Sequence, residues 1–180
     1  MYWKGHSRES PEWPFFFLVA MTDSIQDTLG ALSEFLRAQG LVPHGGASED
    51  EIVAFEQRYN VRLPADVRAY FARVNGVVGG RDGAWDDEMI ALWELKDVRP
   101  LSEEVESCRT PEADRYLVFA DWSIWAHAYA IHLDTTGTET PVYIVFNPQV
   151  ERVADSFNDF LQRYVRRDPA VVFGTPSATA

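Results

Sequence analysis

The sequence predicts an α+β fold in one domain. Three observations carry that reading: apolar residues at helical spacing over the first part of the chain, apolar runs of strand length in its middle, and one amphipathic helix near its end. With 180 residues, 46% of them hydrophobic, the chain can bury a core without disulfide staples. Residues 22–170 are expected to form that domain. Residues 1–21 are read as an N-terminal extension, an overlong start ahead of Met21-Thr22-Asp23-Ser24. The apolar run Phe15–Met21 imitates a signal peptide, but Glu9, Glu12 and Pro14 break the pattern, and a membrane span needs about 20 apolar residues. Residues 171–180 are expected to be a disordered tail, rich in Ser, Thr and Ala from Gly174.

The first helix is expected over Asp23–Ala38, where Ile25, Leu29, Leu32 and Leu36 draw one stripe, and Gly40 and Pro43 stop it. Ser48 and Glu51 have the spacing of a capping box, so a second helix starts there with Ile52, Phe55 and Tyr59 facing inward. Leu63-Pro64 opens a third, since proline at the first turn lacks only an N–H that has no partner anyway. Val67, Tyr70, Phe71 and Val74 form its apolar face, and Asn75-Gly76 ends it in left-handed backbone.

A glycine-rich and acidic loop follows, from Val77 to Asp87. Strands are then expected at Met89–Leu95, Tyr116–Ala120, Ala128–Leu133 and Val142–Phe146. In the third of these, large Tyr129, Ile131 and Leu133 alternate with Ala128, Ala130 and His132, and Thr135–Thr140 is the turn to the next strand. The last helix is expected from about Ala154 to Val165, with Phe157, Phe160, Leu161 and Tyr164 on one face, Asp155 or Ser156 as its cap and arginines in its final turn.

Net charge is −12, which argues against nucleic acid or an anionic membrane as partner. The charge is uneven: between Arg81 and Asp121 stand 12 acidic residues against 5 basic ones, so an acidic face is expected there. A lone Cys108 among Glu103, Glu104, Glu106 and Glu112 forms no internal disulfide and is no activated thiolate, which suits a reducing, cytoplasmic setting.

Four stretches, taken in order, resemble the SUKH superfamily, whose members include bacterial toxin-immunity proteins and fungal regulators of cell-wall assembly. They are Ser48–Tyr59 with Leu63-Pro64 and Asn75-Gly76, then Tyr116–Asp121, then Tyr129–Asp134 with Pro141-Val142-Tyr143, then Ser156–Leu161. The chain departs from the pattern between Asp121 and His127: the family often has glycines there, and this chain has Trp122-Ser123-Ile124-Trp125-Ala126. The resemblance implies a mixed, mainly antiparallel sheet with helices packed around it, and a role in binding proteins.

Reactive machinery is not evident in the sequence. The chain has no Gly-x-Ser-x-Gly, no phosphate loop ending in Gly-Lys-Ser/Thr and no His-Glu-x-x-His, so no enzyme activity, cofactor or metal is expected. His127 and His132 lie five apart on a strand, on opposite faces, and cannot share a metal. Asp121 with His132 or Ser123 is the one pairing that a small hydrolase would use, provided the fold joins them.

Tryptophans in or beside the acidic segment have the character of interface anchors. Trp85 and one of Trp122 and Trp125 are expected to be exposed, with Trp93 in the core. The expected partner-binding residues are therefore Trp85, Asp86, Asp87, Glu88, Glu103, Glu104, Asp121, Trp122 and Trp125, forming a patch that meets a basic toxin domain such as a nuclease. The alternative within the same class is a cytoplasmic regulator or scaffold of an endogenous complex.

Overall fold

In the computed structural model, which describes residues 24–133 and 140–173, three helices come first: α1 (Ile25–Ala38), α2 (Glu49–Tyr59) and α3 (Ala65–Arg73). The expected extension at 1–21, residues 135–139 of the expected hairpin turn and the tail from Gly174 lie outside the described residues. Local chemistry sets the helix ends. The Ser24 hydroxyl accepts the Gln26 amide at the start of α1. Ser48 and Glu51 form the reciprocal box: the Ser48 amide donates to Glu51 Oε2 at 2.7 Å and the Glu51 amide to Ser48 Oγ at 3.3 Å, a cap that contributes about 1 kcal/mol.

After α3 the backbone is left-handed at Asn75 (φ 52°) and Gly76 (φ 69°). A Cβ at Gly76 would stand 2.3 Å from the Trp93 carbonyl oxygen, so only glycine fits. Asn75 Oδ1 accepts the Leu95 amide at 2.7 Å, which fastens the end of α3 to the sheet.

The sheet has six strands, β1 (Ile90–Leu92), β2 (Arg99–Pro100), β3 (Tyr116–Trp122), β4 (His127–His132), β5 (Val142–Val145) and β6 (Val150–Ala154). All its pairings are antiparallel among the described residues, in the order β1-β3-β4-β5-β6, with β2 on the same edge of β3 as β1. A register shift between Val118 and Ala120 leaves Phe119 as the extra residue. Its ring lies 5.3 Å from both Phe157 and Phe160.

Both faces of the sheet are covered, which explains why β3 is apolar throughout. On one side Leu29, Leu32, Leu36, Tyr70, Tyr129 and Phe160 form the larger core beneath the helices. On the other, Ala91, Trp93, Val118, Ala128 and Ala130 are covered by the short helix α4 (Leu101–Glu104) and by Val105, Cys108 and Ala113. No helix among the described residues is long and apolar enough to cross a membrane.

Three expectations change. The last long helix, α5, spans Phe157–Val165 with Ser156 as its cap, because Val150–Ala154 pair with β5 as an edge strand. Their Val-Glu-Arg-Val-Ala pattern suits either period, and only the neighbouring β5 decides it. Strand β1 is shorter than Met89–Leu95, since Met89 has φ 66° and the chain turns away after Trp93. The folded chain also continues past residue 170. Helix α6 (Pro169–Phe173) buries Val171 and Val172, and the Tyr129 hydroxyl donates to the Val171 carbonyl at 2.8 Å.

Candidate functional site

The expected acidic patch separates into parts with different work. Asp86 is buried: Oδ1 accepts the Glu88 and Ile90 amides and Oδ2 the Tyr164 hydroxyl at 2.6 Å, tying the loop before β1 to α5. Asp121 is buried too, taking the Trp93 indole N–H at 2.8 Å and the Trp125 amide at 3.1 Å. Glu104 is turned inward, gripped by Arg81 at 2.7 Å and Arg99 at 3.3 Å, with the Arg81 guanidinium over the Trp93 ring. These three leave the expected patch, because a carboxylate drawn into low dielectric is held by its own donors rather than offered to a partner. Asp87, Glu88 and Glu103 remain outside, the first two paired with Arg167 and the third against Tyr59.

None of the three tryptophans of the expected patch, Trp85, Trp122 and Trp125, is fully exposed. Trp85 and Trp125 are half-buried against the smaller core, and Trp93 is wholly buried. Trp122 is half-buried on the helix side, its indole N–H donating to the Glu88 carbonyl at 2.7 Å. The expectation that Trp85 and one of the other two project into solvent is corrected accordingly.

The hydrolase pairing fails on register. Asp121 stands opposite Ala128 and His132 opposite Tyr116, at the two ends of β3, and Asp121 is already held by two donors. The histidines do lie on opposite faces: His127 is buried on the helix side, and His132 packs beside Tyr116 and Tyr143 on the other.

What the fold brings together is an apolar surface at one end of the sheet. Exposed large apolar residues there are Met89 at 40%, Phe146 at 45% and Ile124 at 73%. Neighbouring strands place them. The Ser123 amide donates to the Met89 carbonyl at 2.9 Å. Trp122 stacks on His127 at 5.0 Å with an interplanar angle of 9°, and the Phe146 ring lies 5.3 Å from His127. A row of rings thus crosses β3, β4 and the end of β5.

Burial pushes His127 down to about 4, so the row is uncharged at neutral pH. The unfolded chain takes up that proton near the ordinary value of 6.5, so the fold loses stability as pH falls from there toward 4.

The turn at this end is unusual. Ser123, Ile124 and Trp125 are all left-handed, with φ of 49°, 56° and 65°. A β-branched residue strongly disfavours this region, and each such residue costs roughly 1–3 kcal/mol. Asp121 holds the turn through the Trp125 amide. Sequence reasoning missed Met89, Ile124 and Phe146. The available signal was the tight link between two strands with no glycine or asparagine to supply positive φ.

Residues 46–163 match the model of the SMI1 / KNR4 family (SUKH-1). The chain belongs to the SUKH-1 family. The match runs from just before α2 almost to the end of α5, and so takes in the Asn75-Gly76 anchor and the whole sheet. Membership gives the general role, protein binding of the immunity or regulator kind. None of the curated proteins matches the chain. Helices α1 and α6 lie outside the matched SUKH-1 region, although both pack on α5.

Proposed function

We propose that this SUKH-1 domain is an immunity protein that docks on a basic toxin domain, such as a nuclease, through the end of the sheet bearing Met89, Ile124 and Phe146. One observation carries the reading: Ile124 is 73% exposed in left-handed backbone, where it contributes little to packing and costs stability. Strain of this kind persists where an exposed side chain must be presented in a fixed position. Trp122 supports the apolar centre, the ion-paired cluster of Asp87, Glu88 and Arg167 borders it, and the net charge of −12 favours a basic partner. Reversing Asp86, Asp87 and Glu88 together is a poor probe, since it would also break the Asp86–Tyr164 bond.

The test is to express any toxic domain found encoded beside this chain and follow cell survival. Co-expression of the chain is expected to protect, Ile124→Asp to abolish protection while the protein stays folded, and added salt to slow association of the purified pair. Full protection by Ile124→Asp would sink the sheet-end surface. Absence of any toxic neighbour would favour the regulator or scaffold reading.

A further inference from the structure

Helix α6, which lies beyond the matched family region, is joined to the sheet end by a line of hydrogen bonds and ring contacts. Its Val171 and Val172 side chains are buried, and the Val171 carbonyl accepts the Tyr129 hydroxyl at 2.8 Å. The oxygen of that hydroxyl lies 3.2 Å from His127 Nε2. His127 in turn stacks on Trp122, its cross-strand partner, and meets the Phe146 ring. The Trp122–His127 pair closes the turn 123–126 that presents Ile124, and the Trp122 indole N–H holds the Glu88 carbonyl, next to Met89. On its other side α6 shares with Trp122 a recess of about 300 Å³, lined also by Pro169 and Val172.

Proton counting fixes the direction of these bonds. A tyrosine hydroxyl carries one hydrogen, and here it goes to Val171; burial raises the pKa of the phenol, so that hydrogen stays. The contact to His127 is then a hydrogen bond only where the imidazole supplies the hydrogen, which makes neutral His127 the Nε2–H tautomer. With Val171 withdrawn, the hydroxyl is released to donate to the ring, and that selects the Nδ1–H tautomer instead. Tyr129 and His127 are both buried, so a bond lost here leaves a polar group without a partner.

We propose that α6 is a latch on the binding end of the sheet: Val171, through Tyr129, holds His127 as the Nε2–H tautomer and so keeps the Trp122–His127–Phe146 row aligned beside Met89 and Ile124. Tyr129 is a positioning residue, since it lies in the core and reaches the surface only through His127. Docking of α6 and binding at the sheet end are therefore linked: whatever holds α6 strengthens the surface, and a partner seated there holds α6. A five-residue helix at one end of the fold is the element most readily released, which suits it to regulation. What the latch controls rests on the sheet-end reading; the latch itself does not.

The experiment uses the full chain with ¹⁵N-labelled histidine and ¹³C-labelled methionine and isoleucine methyls. It records which His127 nitrogen carries hydrogen at neutral pH, the Met89 and Ile124 methyl shifts, and exchange of the Ala170 and Val171 amides. The wild type should carry hydrogen on Nε2. Tyr129→Phe should move both methyl signals and speed exchange of the two amides about tenfold. Val171→Asp with Val172→Asp should move the same methyls and bring His127 to the Nδ1–H form, although neither residue belongs to the sheet end; should that double variant not fold, Tyr129→Phe carries the test. Ser48→Ala, which weakens the cap of α2, should leave all three readouts unchanged. Hydrogen on Nδ1 in the wild type, or unmoved Met89 and Ile124 methyls in Tyr129→Phe, overturns the proposal. These spectra need no partner, and Ile124→Asp should leave His127 and the α6 amides unchanged, so failure here and failure of the toxin-binding reading are separable.

Discussion

The chain enters left-handed backbone at Asn75–Gly76 and again at Ser123–Trp125, and the two places use opposite residues. At the first, the sequence supplies the types that tolerate positive φ, and the site is buried, with the Gly76 backbone against Trp93 and the Asn75 side chain bonded to Leu95 and His44. At the second it supplies a serine, a β-branched isoleucine and a tryptophan, and the middle residue stands out in solvent. The first turn has low strain and high connectivity, as expected of an anchor in the fold. The second bears strain without a packing return, as expected of a surface shaped for contact.

Substitutions can break or sharpen that contrast. The largest effect belongs to the anchor: Gly76→Ala places a Cβ 2.3 Å from a carbonyl oxygen and should lower unfolding free energy by more than about 3 kcal/mol, read from urea denaturation. A mild effect would mean that the close approach relaxes. Next comes the brace of the strained turn. Asp121→Asn keeps the shape but replaces a charged acceptor of two bonds, at a cost of about 2 kcal/mol in the same assay, and should loosen the 123–126 amides in hydrogen exchange.

Ile124→Gly should move stability the other way, gaining about 1 kcal/mol by relieving the disfavoured φ, while weakening association with the partner. A gain in stability with undiminished binding would reduce the turn to an accident of packing. The smallest change is expected from Glu103→Lys with Glu106→Lys, exposed acids away from the sheet end, which should alter stability by less than about 0.5 kcal/mol and slow association only slightly at low salt.

Much of the fold was legible because its signals are local. The Leu29, Leu32 and Leu36 stripe, the Ser48–Glu51 box, Pro64 and Asn75-Gly76 each bind or repel within one or two helical turns, and all four mark the expected elements. The shorter elements were less so. Strand β6 and helix α6 hold few residues each, and pairing with β5 or burial of Val171 beneath Tyr129 decides them, neither of which a short window contains. Of the residues at the proposed site, Trp122, Asp87 and Glu88 are among those that composition points to. Ile124 was passed over because an isoleucine beside a strand is ordinarily read as strand.

By itself, the sequence determined the order of the longer elements, α1, α2, α3, β3, β4, β5 and α5, the opposite facing of His127 and His132, and the excess of acid in the middle of the chain. Only the tertiary structure decided which of those acids face water. Asp86 meets Tyr164 across 78 positions and Asp121 meets Trp93 across 28, and both carboxylates turn inward for those donors. Capping and periodicity act between residues that any conformation of the segment keeps close. The partner of a charge is chosen by which distant side chain the fold delivers to it, and so the proposed binding surface became readable only once the sheet was assembled.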